Sequence, residues 1–348
     1  MTKTILFTLL IFTLHISVTS AQEIQIDSIN IGQKTFDFFD SNRDRKLITE
    51  VWYPTLDPIL EKDKVFSPFK RSFTVRDAEI IKGQYPLVLF SHGNGASRLS
   101  MEWLAQDLVK QGYIVAAVDH WGNTHDNKIG IEFIKPWERP LDISHILTEL
   151  LEDNILSQSI NQREIGALGF SYGGYTVIAL SGGVMNYNTL QNYFNTQQGK
   201  RDLDNIREFP DLAGLIQGTS FIEMTKNIPD LKDDRISAFF AISPGTAQGF
   251  SDTDQFKQVN DPVFIVGCQG DQVTPVENYA RHYHSLIPQS DYFEFGGEVG
   301  HYVMLAEANE EVKKEVPAVF VDDPSVNRNE VHQKVAELAI SFFEKNLK

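Results

Sequence analysis

The sequence predicts an α/β fold, a mostly parallel twisted sheet with helices on both faces. Three observations lead there. Short runs of apolar residues alternate along the chain with stretches whose apolar residues recur at i, i+3, i+4, i+7 and i+8. The runs are apolar throughout rather than every second residue, as strands covered on both faces require. The polar, glycine-bearing segments then follow the ends of those runs, where open parallel sheets bind their ligands.

The chain has 348 residues, 42% hydrophobic and 22% charged, long enough for one large α/β domain with additions. Its first 21 residues read as a cleaved export signal. Lys3 supplies the basic start, residues 5–18 an apolar stretch short for a membrane span, and Ser20 and Ala21 a small-residue cleavage site. The mature chain is then 22–348, periplasmic or secreted, with no stable membrane insertion after cleavage. Cys268 is the only cysteine, so the exported chain relies on its core rather than on an internal disulfide. A formal net charge of −16 repels nucleic acid and anionic membrane surfaces, and neither is expected as a partner.

In order, KTFDFF and KLITEVWY read as the strands of a hairpin, with DSNRDR as its polar turn, and residues 54–84 as irregular. The run 87–90 is a buried strand ending in a glycine-rich loop. The helix after it carries Met101, Leu104, Ala105, Leu108 and Val109 and is closed by Gly112. YIVAAVDH is the next strand. A polar loop with Asn123, Asp126 and Asn127 leads to a helix with Ile143, Ile146, Leu147, Leu150 and Leu151 on one stripe. EIGALGFS is the third buried strand, ISAFFAIS and PVFIVGCQ the next two. A last helix, about 328–346, opens on Asn327 and Glu330 in capping-box spacing. Residues 184–234 break this rhythm and read as an insertion, either a lid over the cleft or a surface flank whose aromatics finish the core.

Within the third strand's exit, Gly169-Phe170-Ser171-Tyr172-Gly173 fits G-x-S-x-G. That motif sets a serine on a sharp strand-to-helix turn, too tight for side chains two residues to either side. A plain strand-to-helix turn with a capping serine fits the same five residues. A serine hydroxyl needs a base, and the base needs an orienting acid. Asp271 stands just past PVFIVGCQ, and His301 lies in the glycine-flanked loop of FGGEVGHYVM. Ser171, Asp271 and His301 therefore follow in the order nucleophile, acid, base at the ends of late strands. Glu298, in the His301 loop, is the rival acid. For a developing oxyanion the backbone amides of Asn94, in SHGNGAS, and of Tyr172 are the candidate donors. His92 reads as a structural imidazole holding that loop. His120 and Trp121, just beyond a strand end, are candidates for the substrate cleft, as are Tyr193, Phe194, Phe221 and Met224 of the insertion. The pairs His120/His125 and His282/His284 lack a third ligand, so no metal is expected. Cys268 reads as buried core.

PLVLFSHGNGASR, YIVAAVDHWGNT, RPLDISHIL, IGALGFSYGGYT, GDQVTP and GHYVM together resemble the platelet-activating factor acetylhydrolase and dienelactone hydrolase-like branch of the α/β-hydrolases. The resemblance spans most of residues 30–345 and is weakest in the insertion. It implies about eight strands and serine-dependent hydrolysis of a small-molecule or lipid ester without a cofactor. By motif position it gives Ser171 as nucleophile, Asp271 as acid, His301 as base, and Asn94 and Tyr172 at the oxyanion positions. Serine at the elbow departs from the cysteine of true dienelactone hydrolases, and the insertion holds no recognisable membrane-binding helix. Two other readings stand beside an exported esterase. GFSYGGY also resembles the elbow of prolyl oligopeptidase-type peptidases, although the residues before the strand at 87 are too few for a propeller. A catalytically inactive binding protein on the same fold is the third.

Overall fold

The computed structural model describes residues 29–348, apart from 205, 207–208, 210–211 and 218–220. The expected export signal, 1–21, lies outside the described residues. The hairpin is β1 (Asn30–Asp40) and β2 (Arg45–Thr55), paired along their whole length. Its turn is fixed by Asp40 Oδ1, which accepts the amides of Asn42 and Arg43, a side-chain turn lock typical of aspartate. Then follow β3 (Val75–Arg76), β4 (Tyr85–Ser91), α1 (Glu102–Lys110), β5 (Ile114–Val118), a two-rung hairpin β6 (Asn123–Thr124) and β7 (Asn127–Lys128), and α2 (Glu138–Glu152). After these come β8 (Ile160–Phe170) and α3 (Tyr172–Leu180), then the inserted helices α4 (Tyr187–Phe194), α5 (Gln197–Asp204), α6 (Leu212–Gln217) and α7 (Phe221–Thr225). The chain continues through β9 (Ala238–Ile242), β10 (Val263–Cys268), α8 (Ala280–Leu286), β11 (Asp291–Phe295), α9 (Glu310–Glu315), α10 (Pro317–Phe320) and α11 (Arg328–Leu347).

The main sheet has nine strands in the order β11-β10-β9-β8-β4-β5-β2-β1-β3. β2 is antiparallel to both of its neighbours, β1 and β5, and the run from β5 to β11 is parallel throughout. The ninth strand is β3, two residues long and paired to β1, inside the stretch expected to be irregular. The polar loop expected at Asn123 folds back on itself as β6 and β7.

Alternation along the central strands splits the core in two. Leu87 and Leu89 of β4, Ile114 and Ala116 of β5 and Ile165 and Ala167 of β8 pack with α2, α3 and α8 on one face. Val88 and Phe90, Val115 and Ala117, and Leu168 and Phe170 pack with α1 and α11 on the other. A fully buried Leu, Val or Phe side chain is worth about 1.5–3 kcal/mol, and these strands bury both faces. At Gly166 a Cβ would stand 2.6 Å from the ring of Phe343 in α11, so the absent side chain sets how closely that helix lies on β8.

The insertion joins the first of these faces. Phe221 is wholly buried, with its ring centroid 5.8 Å from Trp137, 6.2 Å from Tyr187 and 6.3 Å from Phe194. Phe221 is therefore core and not a substrate contact, because the rings around it leave it no exposed surface. Phe194 and Met224 are half-buried against the same core, and the Tyr193 hydroxyl is tied to Asp202 of α5.

Candidate active site

Ser171 stands between the end of β8 and the start of α3 with φ 56° and ψ −118°. A residue other than glycine pays steric energy to hold that backbone conformation, and such strain collects at functional turns. The surroundings hold it in place. The Ser171 amide donates to Ile242 O at 2.9 Å, and Ser171 O accepts from Gly174 and Gly245, each at 2.8 Å. The two motif glycines are contact requirements. A Cβ at Gly169 would lie 2.0 Å from Gly173 O, and one at Gly173 would lie 1.8 Å from Ser91 O. The turn is wedged against β4, which leaves the Ser171 side chain at the sheet's carboxyl edge.

Asp271 follows β10 directly. His301 opens a short turn, His301–Met304, after β11. The three groups meet in a line: His301 Nε2 is 2.9 Å from Ser171 Oγ, and His301 Nδ1 is 2.7 Å from Asp271 Oδ2. A carboxylate only accepts, so Nδ1 carries the proton and Nε2 faces the hydroxyl as an acceptor. Asp271 Oδ1 accepts the amides of Val273 and Thr274 at 2.8 and 2.7 Å, and Oδ2 accepts the Thr274 hydroxyl at 2.8 Å. Burial pushes this carboxyl up, but His301 and these donors outweigh it and hold Asp271 below its usual range. Glu298, the rival acid, is exposed and makes no ion pair with His301.

The sheet that carries this site, with one antiparallel member and parallel strands from β5 to β11, is similar in fold to a solved structure. A ferulic acid esterase from Streptomyces cinnamoneus is similar over 94% of this chain and 92% of its own, with a TM-score of 0.59 at 18% sequence identity. This is the α/β-hydrolase fold. Residues 69–128 also match the family model described as platelet-activating factor acetylhydrolase, isoform II. That stretch carries β4, α1, β5 and the loop of Asn94, but not Ser171, Asp271 or His301. No curated protein matches the chain.

In this α/β-hydrolase fold the loop after β4 lies beside the serine: a Cβ on Gly93 would touch that of Ser171 at 3.4 Å. The amides of Asn94 and Tyr172 have no acceptor among the described residues, the state required of donors kept for a ligand. His92 is fully buried. Its Nδ1 donates to Gly93 O at 2.6 Å and its Nε2 accepts the His120 amide at 3.2 Å, which places it in the loop-holding role read from the sequence.

His120 is not part of the cleft. It is fully buried, its Nδ1 donating to Asp142 Oδ2 and its Nε2 accepting from Ser91 Oγ, both at 2.9 Å. With both ring nitrogens engaged it has nothing to offer a substrate. Burial and the nearby Arg139 cation lower its pKa to about 3. Asp142 in turn is paired with Arg45 of β2 at 2.8 Å, so an ion pair extended by hydrogen bonds through His120 runs from the hairpin to Ser91 of β4. Trp121 is half-buried against the core, and its carbonyl accepts from Arg45 at 3.0 Å. Cys268 is buried as expected; burial pushes its thiol up to about 12. His282 is bonded to Phe250 O and His284 to Ser290.

Two supports escaped the sequence reading. Thr274 is one; the only signal for it is a hydroxyl three residues after Asp271. The other is the pair Trp103 and His332, stacked at 3.8 Å. Trp103 Nε1 donates to Met304 O at 3.0 Å and His332 Nε2 to Val303 O at 2.7 Å, so α1 and α11 together grip the turn that carries His301.

Proposed function

We propose that the protein is a serine-dependent carboxylic ester hydrolase that works through an acyl-enzyme. The observation that carries the reading is the line Ser171–His301–Asp271 on a strained elbow. Ser171 Oγ attacks the ester carbonyl while His301 Nε2 takes its proton. The amides of Asn94 and Tyr172 meet the oxyanion. His301 passes the proton to the leaving alcohol, and water, activated by the same imidazole, releases the acid. Asp271 holds the tautomer and balances the imidazolium. The scheme calls on no metal or cofactor. The apolar start of the sequence, residues 5–18 with Ser20 and Ala21, supports export to the periplasm or the medium.

For substrate, the acetylhydrolase family match favours a short acyl group, and the esterase likeness favours an ester over an amide. The test is a fluorophosphonate label located by peptide mass, with a panel of acetyl, butyryl, octanoyl and feruloyl esters, a short-acyl phospholipid and matched peptide amides. Labelling at Ser171 with ester turnover supports the reading. Amide turnover above ester turnover makes the protein a peptidase, and a chain that is neither labelled nor active is a binding protein on this fold.

A further inference from the structure

Arg139, in the first turn of α2, is 1% exposed, and among the described residues no carboxylate lies within ion-pair distance of it. A buried cation without a counter-ion is costly unless its donors are well used. Its partners are neutral and concentrated in one place. Nη1 donates to His92 O at 2.6 Å; Nη2 donates to Gly93 O at 3.1 Å and to Asn123 Oδ1 at 2.9 Å. The guanidinium also lies 4.5 Å over the ring of Tyr172. The first three groups belong to or hold the loop of Asn94, and the ring belongs to Tyr172, so each lies at one of the two residues whose amides are assigned to the oxyanion.

We propose that Arg139 is the positioning residue for both oxyanion donors, an inference that rests on the hydrolase reading above. A trans peptide is planar, so its C=O and N–H point in opposite directions. Gly93 O is held by Arg139, by His92 Nδ1 at 2.6 Å and by the Ala96 amide at 3.3 Å. Pinning that carbonyl inward turns the Asn94 N–H outward. Asn123 completes the hold: its Oδ1 also accepts the Gly95 amide at 3.1 Å, and its Nδ2 donates to Asn94 Oδ1 at 2.8 Å. On the other side the guanidinium face restrains the Tyr172 ring, and with it the first residue of α3, whose amide is the second donor. A planar fork reaches two successive carbonyls at once; a lysine ammonium does not.

The experiment compares wild type, Arg139→Gln, Arg139→Lys and Asn123→Ala with p-nitrophenyl acetate, with a trifluoromethyl ketone that becomes an oxyanion when a serine adds to it, and by thermal melting. Losing an oxyanion donor lowers kcat about 100-fold. The expected result for Arg139→Gln is a fall of that order with KM within about threefold, a matching loss of ketone affinity, and no rescue by lysine. Merely structural damage would lower Tm without a parallel loss in ketone affinity. A folded Arg139→Gln protein with kcat within about threefold of wild type, or with its loss confined to KM, overturns the proposal. If Arg139→Gln does not fold, Asn123→Ala decides, since it removes one acceptor of the guanidinium and the tether on the Asn94 side chain together; about a tenfold fall in kcat supports the proposal and unchanged kcat and ketone affinity overturn it. A wild-type chain with no ester turnover and no label at Ser171 removes the hydrolase reading, and the inference with it.

Discussion

The Thr274 hydroxyl and His301 Nδ1 converge on one oxygen, Asp271 Oδ2, at 2.8 and 2.7 Å, and stand 3.2 Å from each other. The carboxylate is thus shared between a neighbour in its own turn and the imidazole it orients. Thr274→Val deletes one donor and keeps the shape. The expected outcome is a kcat lowered about tenfold or less and a stability loss of about 1 kcal/mol, read by steady-state kinetics and melting. A loss as large as that of Asp271→Asn would mean that the hydroxyl, not the carboxylate, orients His301.

Ser171→Ala and His301→Ala each lower kcat by roughly 10³-fold or more with the fold intact, and combining them costs little more than either alone. Asp271→Asn is also severe. Glu298→Gln stays near wild type because Glu298 is exposed. Esterase assays on the four single variants and the double variant check this, and a Ser171→Ala protein that keeps most of its activity excludes Ser171 as nucleophile.

Gly173→Ala fails to fold natively or displaces β4, because its methyl group would land on Ser91 O. Expression as soluble protein and near-ultraviolet circular dichroism test it; a native, active Gly173→Ala protein would show that the elbow is not wedged against β4.

Acid destabilises the fold through its buried histidines. Burial lowers His332 to about 4 and His120 to about 3, against about 6.5 in an unfolded chain. Between those values the unfolded state binds more protons, so stability falls as pH drops from about 6.5 toward 4. At 1.36 kcal/mol per unit, His332 accounts for up to about 3 kcal/mol of that fall. Asp142, raised by burial but lowered further by Arg45 and His120, contributes in the same direction at lower pH. Denaturant unfolding at pH 7 and pH 4.5 reads the loss. His332→Gln, which can still donate to Val303 O, should show less of it; an unchanged difference would acquit His332.

Phe221→Ala costs about 3–5 kcal/mol, as removal of a fully buried ring does, and leaves the preference among acyl chain lengths untouched. Phe194→Ala and Met224→Ala test the half-buried part of the insertion. A chain-length series beside each melting temperature separates lid from flank: a shifted profile makes those residues part of the acyl pocket.

The strands and long helices were legible because β4, β5 and β8 are apolar on both faces and α1, α2 and α11 carry complete stripes. β3, β6 and β7 were not, since two residues carry no period. The stations of Ser171 and Asp271 were readable because each follows a buried strand, and that of His301 because its glycine-flanked loop follows the short, half-buried edge strand β11. His120 follows one too, yet it points inward. What turns it is Asp142 on α2, itself fixed by Arg45 on β2, and no local pattern records a partnership between three separate elements. Phe221 misled for a related reason: an aromatic ring in a polar insertion reads the same whether it faces a ligand or, as here, Trp137.

Ser91, His120 and Asp142 form a second hydroxyl–imidazole–carboxylate string, with spacings of 2.9 and 2.9 Å beside the 2.9 and 2.7 Å of Ser171, His301 and Asp271. All three of its members are sealed from solvent, and Ser91 belongs to a regular strand rather than to a strained turn. One chain therefore carries two copies of the same hydrogen-bonded chemistry that differ in access and backbone. The mass of the intact protein after exhaustive fluorophosphonate treatment counts the reactive ones: one adduct per chain means that a string sealed in a regular strand stays silent, and two would mean that neither burial nor the missing elbow protects Ser91.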